Sequence, residues 1–360
     1  MTEFVQTRVA NGIGFITLDR PKALNSLSLD MVRALTATLT AWRSDAAVQA
    51  VVLQSSSEKA LCAGGDIRFF YEVGTRTPMG GSALLEDFFT EEYALNYLIH
   101  FYPKPYVALM QGVVMGGGMG IAQGGPGCGI RIVTDNSKIA MPEVNIGLFP
   151  DVGGSHFLSH APGQLGMYLG LTGLTVGAAD CLYLGLADHY VPTDALPALH
   201  ALIAATPGAE LGAALAAFCA GFDAGPAPLA AERARIDQHF SAPTVAGVMA
   251  ALAADASPFA QQALAAMRTR SPLLMCVTQE LLRRGASLDV ADCLRLERNL
   301  VRRTFEHGEV LEGVRALVID KDNRPQWNPP TLEAVTEAMV ARFFEPPWPA
   351  ATHPLRSLGA

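Results

Sequence analysis

Two glycine clusters constrain this chain more than any other feature. "LCAGGDI" (61–67) and "MGGGMG" (115–120) each follow a short apolar run and each open into a helical one. Glycine at a strand-to-helix junction removes the Cβ, permits positive φ and lets another backbone or a ligand come close. The flanking runs fit such junctions. "IGFITL" (13–18), "AVVLQ" (50–54), "PYVALMQ" (105–111), "GIRIVT" and "KIAM" are short and apolar, end at polar or proline signals, and read as strands. Between them, Ser28 to Trp42 has helical spacing behind an N-cap serine, and "LLEDFFTEEYALNYLIH" (84–100) reads as an amphipathic helix. Strand and helix alternate over roughly the first 190 residues, the signature of an α/β fold. The polar, Gly-rich stretch Gly74–Ser82 reads as a mobile loop. From Gly163 onward helical patterns dominate, and the end, "EGVRALVIDKDNRPQWNPP", reads as an extended closing segment. The expected organisation is a catalytic core over 1–200 and a mainly helical C-terminal region over 201–360 with that closing tail.

Composition narrows the function classes. The chain has 360 residues, 50% of them hydrophobic, enough for one large domain plus an addition. A net charge of −8 without a long basic run argues against nucleic acid, where Lys and Arg must neutralise phosphates. No long apolar run is free of Gly, Pro or polar residues, so no membrane span is expected. The start, "MTEFVQTRVANGIGFITLDRP", shows neither a signal nor a transit pattern, which points to a mature cytoplasmic protein. Six scattered cysteines without a CxxC pair read as reduced thiols and not as a disulfide framework or metal site. There is no G-x-S-x-G elbow to make His156 or His160 part of a triad, and no dinucleotide or GK[ST] loop.

The segment "KIAMPEVNIGLFPDVGGSHF" (138–157) holds two acids, Glu143 and Asp151, each directly after a proline, in a stretch that otherwise reads as interior. Asp151 would serve naturally as an N-cap for the run that follows; Glu143 has no such use. An acid in an apolar wall has its ionised form disfavoured, which suits proton transfer near neutral pH. The glycine clusters offer the unpartnered first amides of helices, reinforced by the helix dipole. Two such loops converging would aim two N–H donors at one oxygen, an oxyanion hole. Glycines that merely permit tight turns or close packing are the plainer alternative, and pattern alone leaves both open.

"RPKALNSLS" (20–28), "ALCAGGDI" (60–67), "QGVVMGGGMGIA" (111–122) and "MPEVNIGLFPDVGG" (141–154), in that order, resemble the crotonase (enoyl-CoA hydratase/isomerase) superfamily. With the tail "HGEVLEGVRALVIDKDNRPQW" (307–327) they are most similar to its 3-hydroxyisobutyryl-CoA hydrolase branch. The resemblance implies a spiral of repeated ββα turns with helices closing the C-terminal side. It implies an acyl-CoA thioester substrate, with CoA as part of the substrate and no other cofactor or metal, and it leaves homo-oligomerisation open. The oxyanion amides map onto Gly65 and Gly117, and the two acids onto Glu143 and Asp151. The CoA nucleotide would follow Lys22, Ala23 and Leu24, then Ala63, Asp66, Ile67 and Arg68, with Lys22 and Arg68 as phosphate contacts. Glu92 matches a substrate-contacting position, although a helix that also bears Glu86, Asp87 and Glu91 reads more simply as a solvated face.

One departure matters. An enoyl-CoA hydratase of this superfamily has a second glutamate three residues after its oxyanion glycine, and that position here is Gly120. A Glu…Asp pair eight residues apart is also found in dienoyl-CoA isomerases, which makes hydratase or isomerase chemistry the alternative. A non-catalytic acyl-CoA-binding relative is a second one. The long helical half and the tail favour hydrolysis of a short β-hydroxyacyl-CoA, 3-hydroxyisobutyryl-CoA of valine breakdown, with a backbone oxyanion hole and Glu143/Asp151.

Overall fold

Every residue of the run Tyr106–Met110 is buried, as expected for a parallel strand covered on both faces. A computed structural model, describing residues 2–77 and 81–359, places this run inside a mixed sheet. The strands are β1 (Val5–Ala10), β2 (Ile13–Leu18), β3 (Ala50–Ser55), β4 (Ala60–Cys62), β5 (Tyr106–Met110), β6 (Val113–Met115), β7 (Gly129–Val133), β8 (Lys138–Ala140) and β9 (His189–Tyr190). The larger sheet has the order β1-β2-β3-β5-β7-β9, antiparallel between β1 and β2 and parallel thereafter. A smaller parallel sheet has the order β4-β6-β8, with Val114 paired to Ile139 and Met115 to Ala140.

Successive strand pairs repeat one pattern. β3, β5 and β7 join the larger sheet, and the strand after each joins the smaller one. This is the expected spiral of ββα turns. Each strand of the smaller sheet runs directly into a stretch singled out from the sequence: β4 into Gly64–Gly65, β6 into Gly116–Gly117, β8 into "MPE".

The strands all belong to one compact unit, Met1–Gly65, Ala94–Ala140 and Thr175–Ala230. Its core joins Ile13 and Phe15 of β2, Val52 of β3, Val107 and Leu109 of β5 and Ile132 of β7 to Leu196, Leu199 and Ile203 of one helix and Leu211 and Leu215 of the next. Those residues alternate along each strand because side chains two apart share a sheet face.

The second unit comprises Asp66–Tyr93, Met141–Leu174 and Ala231–Ala360 and is built of helices. Side-chain caps start many of them: Asp66, Thr244, Ser257, Ser271, Asp289 and Thr336 each accept a hydrogen bond from an amide of the first turn. At Ser257 and Ser271 the next residue is proline, suited to the first helical position. The helix Pro272–Gly285 packs against Gly154–Ser159 and Leu165–Thr172. In the tail, Gly313 lies so close to the turn Glu143–Ile146 that a Cβ there would stand 2.3 Å from the Ile146 carbonyl carbon.

Several sequence expectations change. β1, β4, β6 and β9 were not anticipated. β1 is exposed beyond Val5, so it lacks a two-residue rhythm, and the others are too short to build one. Gly74 and Arg76, placed in a loop, end the helix Ile67–Arg76; residues 78–80 of that stretch lie outside the described residues. A linear division at residue 200 coincides with neither unit. The chain leaves the sheet unit after β4 and again after β8, then returns, and the helices over 196–219 complete the sheet's core.

Candidate active site

In the first unit the two glycine loops are neighbours. A Cβ on Gly64 would stand 3.6 Å from the Gly117 amide nitrogen, and one on Gly118 only 2.1 Å from the Cys62 carbonyl oxygen. That second approach is why "GGG" follows β6: any side chain at Gly118 would strike β4. Gly64 and Gly116 have φ of +107° and +50°, so each loop turns through backbone space that glycine occupies freely. Gly117 is the first residue of the helix Gly117–Ala122. Among the described residues, no backbone carbonyl outside regular elements accepts from the Gly65 or Gly117 amide. Leu27 fixes the first loop by donating its amide to Gly64, at 2.8 Å. Gly120 is buried in the same short helix and presents only hydrogen.

The residues assigned to the CoA nucleotide fall into two groups. Lys22 and Ala23 lie in a 3₁₀ turn, Lys22 exposed; Leu24 follows with φ +49°, and its carbonyl accepts from the Ala63 amide at 3.0 Å. In the second unit Asp66 caps the helix that Ile67 opens, accepting from the Phe69 amide at 3.3 Å. Arg68 is exposed, and its guanidinium donates to the Val318 carbonyl at 3.4 Å.

The second unit gathers the acids. Glu92 and Tyr93 come from the helix Ala83–His100, Glu143 from the turn Glu143–Ile146, Asp151 from the following loop, and Glu297 from the helix Val290–His307. Glu92 is 2% exposed, so the solvated-face reading of its helix does not hold at this position. Nor does Asp151 cap the helix after it. The cap is Gly153, and the Asp151 carboxyl accepts from the Tyr93 hydroxyl at 2.6 Å. Glu297, fully buried, accepts from the Gly153 amide at 2.8 Å and from the Ser155 amide and hydroxyl at 2.9 and 2.5 Å. One carboxyl oxygen of Glu92 and one of Glu143 are buried without a hydrogen-bond partner. Among the described residues no group of His, Cys, Asp or Glu is arranged to hold a metal ion.

Burial dominates the electrostatics. It pushes Glu143 well above the usual carboxylate range, and the neighbouring charges of Asp151, Glu297 and Glu92 push the same way. Glu92 is raised well above that range by burial and then by Asp151. Asp151 is raised to about 6 by burial, the Tyr93 hydrogen bond pulling it back. Glu297 rises to about 8 through burial, opposed by its bonds from Ser155 and Gly153. Carboxyls so close together cannot all ionise near neutral pH, so the cluster can hold and pass protons.

Tyr93, Glu297 and Arg298 were not anticipated from the sequence. Arg298, fully buried, pairs with Glu86 and donates to the Thr90 hydroxyl at 3.0 Å, tying down the helix that carries Glu92 and Tyr93. A signal for the neighbouring pair existed. The buried stripe of the helix runs Val290, Cys293, Leu294, Glu297, Arg298, Leu300, Val301, Thr304 and Phe305, so two charged residues occupy positions that helical spacing reserves for apolar ones. Charges there need partners from other segments.

A family model described as enoyl-CoA hydratase/isomerase matches residues 13–344. The chain is similar to the mitochondrial 3-hydroxyisobutyryl-CoA hydrolase of Xenopus tropicalis, 39% identical over 338 residues that cover 92% of this chain and 86% of that protein. Its human counterpart is 36% identical over the same shares. Among solved structures, a carnitinyl-CoA dehydratase from Mycobacterium thermoresistibile is 42% identical, with a TM-score of 0.89 over 96% of this chain and 97% of that one. An enoyl-CoA hydratase from Rhodobacter sphaeroides 2.4.1 is 38% identical, with a TM-score of 0.85 over 96% and 98%.

Proposed function

Because the chain belongs to the enoyl-CoA hydratase/isomerase family, we propose that it hydrolyses a short β-hydroxyacyl-CoA thioester, 3-hydroxyisobutyryl-CoA, to 3-hydroxyisobutyrate and free CoA. Similarity to hydrolases of that name over 92% of the chain supports this activity. The observation that carries the choice of chemistry is the buried pair Glu143 and Asp151, both raised by burial, in a chain that has only glycine at position 120. Hydrolysis needs one acid at the carbonyl carbon; hydration by the family's paired-glutamate route needs a side chain at Gly120.

In this reading the Gly65 and Gly117 amides stabilise the thioester oxygen as it becomes anionic. Glu143 in its ionised form either takes a proton from the water that attacks the carbonyl carbon, or attacks that carbon itself to form a mixed anhydride that water then hydrolyses. The thiolate of CoA leaves and is protonated. Burial makes Glu143 a stronger base than an ordinary carboxylate, at the cost of a smaller ionised fraction near neutral pH. Asp151, ionised, holds the β-hydroxyl of the acyl group, and Glu92 lines the same acyl site. Lys22 and Arg68 take the CoA phosphates, with Ala23, Leu24, Ala63, Asp66 and Ile67 along the nucleotide. The reaction requires no metal and no cofactor beyond the CoA of the substrate. It places the protein in valine breakdown. Six cysteines without disulfides fit the cytoplasm as the compartment, though the hydrolases it resembles are named mitochondrial. Among the described residues no helix is long and apolar enough to cross a membrane.

The names of the two solved structures favour a second reading, hydration or dehydration of an acyl-CoA. A panel of 3-hydroxyisobutyryl-CoA, isobutyryl-CoA, crotonyl-CoA and a dienoyl-CoA, scored separately for free thiol and for altered acyl chains, decides between them. The expected result is thiol release from the first substrate with little change to crotonyl- or dienoyl-CoA. Efficient hydration of crotonyl-CoA without thiol release would overturn the hydrolase. Asp151→Asn should cost the hydroxylated substrate about tenfold more than isobutyryl-CoA, the scale of one hydrogen bond to a charged group. Equal losses would reassign Asp151 to proton transfer.

A further inference from the structure

We propose that Glu297 is a positioning residue for Asp151, acting as a cap supplied by a distant helix that holds the loop Asp151–Ser155 in its working shape. This rests on the hydrolase reading for its kinetics, but its structural half does not. Directly after Asp151 the chain passes through Val152 at φ +54° and Gly153 at φ +88°. Positive φ is strained for a β-branched residue, and such strain persists only where surrounding contacts over-determine it. The short helix Gly154–Ser159 that follows has no side-chain cap of its own. Its N-terminal amides need acceptors, because the first turn of a helix leaves its N–H groups unpartnered.

Glu297 supplies them. One carboxyl oxygen takes the Gly153 amide, and the other takes both the amide and the hydroxyl of Ser155. All three donors belong to the stretch that begins two residues after Asp151. At the other end of the loop the Asp151 carboxyl is fixed by the Tyr93 hydroxyl. Asp151 is thus held at its carboxyl by one helix, and the backbone two to four residues after it is held by another. The next residue, Arg298, grips the first of those helices through Glu86 and Thr90. Neighbouring residues of one helix therefore anchor both segments that aim Asp151.

The test is Glu297→Gln in the full chain. Glutamine keeps one acceptor oxygen and sets an –NH2 against a backbone N–H that had a partner. For 3-hydroxyisobutyryl-CoA, kcat should fall by about tenfold to a hundredfold, the scale of an ångström-level misplacement, with KM changed less than about threefold. Isobutyryl-CoA, which has no hydroxyl for Asp151 to hold, should lose about threefold or less. In an Asp151→Asn background the same substitution should cost little further, because coupled residues are not additive. Fully additive losses, equal losses on both acyl groups, or unchanged turnover would each overturn the proposal. Amide hydrogen exchange of the free protein reads the loop without any substrate. The Gly153 and Ser155 amides should exchange about tenfold faster or more in the variant, while those of β5 do not change. Unchanged exchange at Gly153 and Ser155 would overturn the clamp, whatever the protein turns over. Thiol release absent from the wild type would sink the hydrolase reading alone. Should Glu297→Gln fail to fold, Ser155→Ala removes one donor of the three and should show the same substrate selectivity at a few-fold scale.

Discussion

The glycine loops of the first unit and the carboxylate cluster of the second achieve their geometry by opposite means. The loops are made of backbone. Gly64 and Gly116 turn the chain, Gly118 lies against the Cys62 carbonyl, and the elements involved are β4, β6 and the segments directly after them. The cluster is made of side chains drawn from residues 92, 93, 143, 151, 155 and 297, and burial sets its charge state. A backbone site tolerates almost no added atom but has no proton to misplace. In a buried-charge site an isosteric change at a reacting acid keeps volume yet removes chemistry, because each charge is felt by the others.

The largest effect should come from the side-chain region. Glu143→Gln keeps volume and removes the group proposed to attack or accept a proton, so turnover should drop about a thousandfold while acyl-CoA still binds, the scale of a lost general base. Calorimetric binding alongside stopped-time thiol release checks both halves; normal turnover in the folded variant would remove Glu143 from the chemistry. Single-turnover reaction in heavy-oxygen water then separates its two roles. Label in the Glu143 carboxylate means covalent attack, and its absence favours direct attack by water.

Next comes the backbone region. Gly117 has no positive φ, so a side chain can be added there without backbone strain. Gly117→Val should reduce kcat about a hundredfold, as for one lost oxyanion donor, measured on protein whose melting curve shows it folded. Full activity in a folded Gly117→Val protein would leave Glu143 and Asp151 without their assigned partner in catalysis.

The smallest effect sharpens the electrostatic side. Tyr93→Phe removes the hydrogen bond that favours ionised Asp151, so the Asp151 pKa should climb from about 6. With the ionised form proposed to hold the substrate hydroxyl, the acid limb of the kcat/KM profile should move to higher pH. The loss should reach about tenfold near pH 6 and fade by pH 8, where Asp151 is ionised in both proteins. A loss of the same size at every pH would mean that Tyr93 only packs.

The two regions also differed in how far sequence reasoning could reach them. The glycine loops were legible because turn chemistry is local: a strand, a glycine pair and a helix start lie within about ten residues. β2, β3, β5 and the helix behind Ser28 could be read for the same reason, each carrying its own periodicity and end signals. Glu143 stood out by contrast with its apolar neighbours. Asp151 had two sensible readings from its flanks, and only the Tyr93 hydroxyl removes the N-cap. Glu92 was hidden among Glu86, Asp87 and Glu91, because which face of that helix is buried depends on what packs against it.

By itself, then, the sequence determined the strand-to-helix rhythm, the two glycine junctions and the family to which the chain belongs, all properties of short windows or of ordered motifs. Tertiary structure alone decided which acids share one buried environment. Glu297 meets Gly153 and Ser155 across more than 140 positions of chain, and no local pattern encodes a contact of that range. Its charge state follows from that meeting, since desolvation and hydrogen bonding are set by neighbours in space and not by neighbours in sequence.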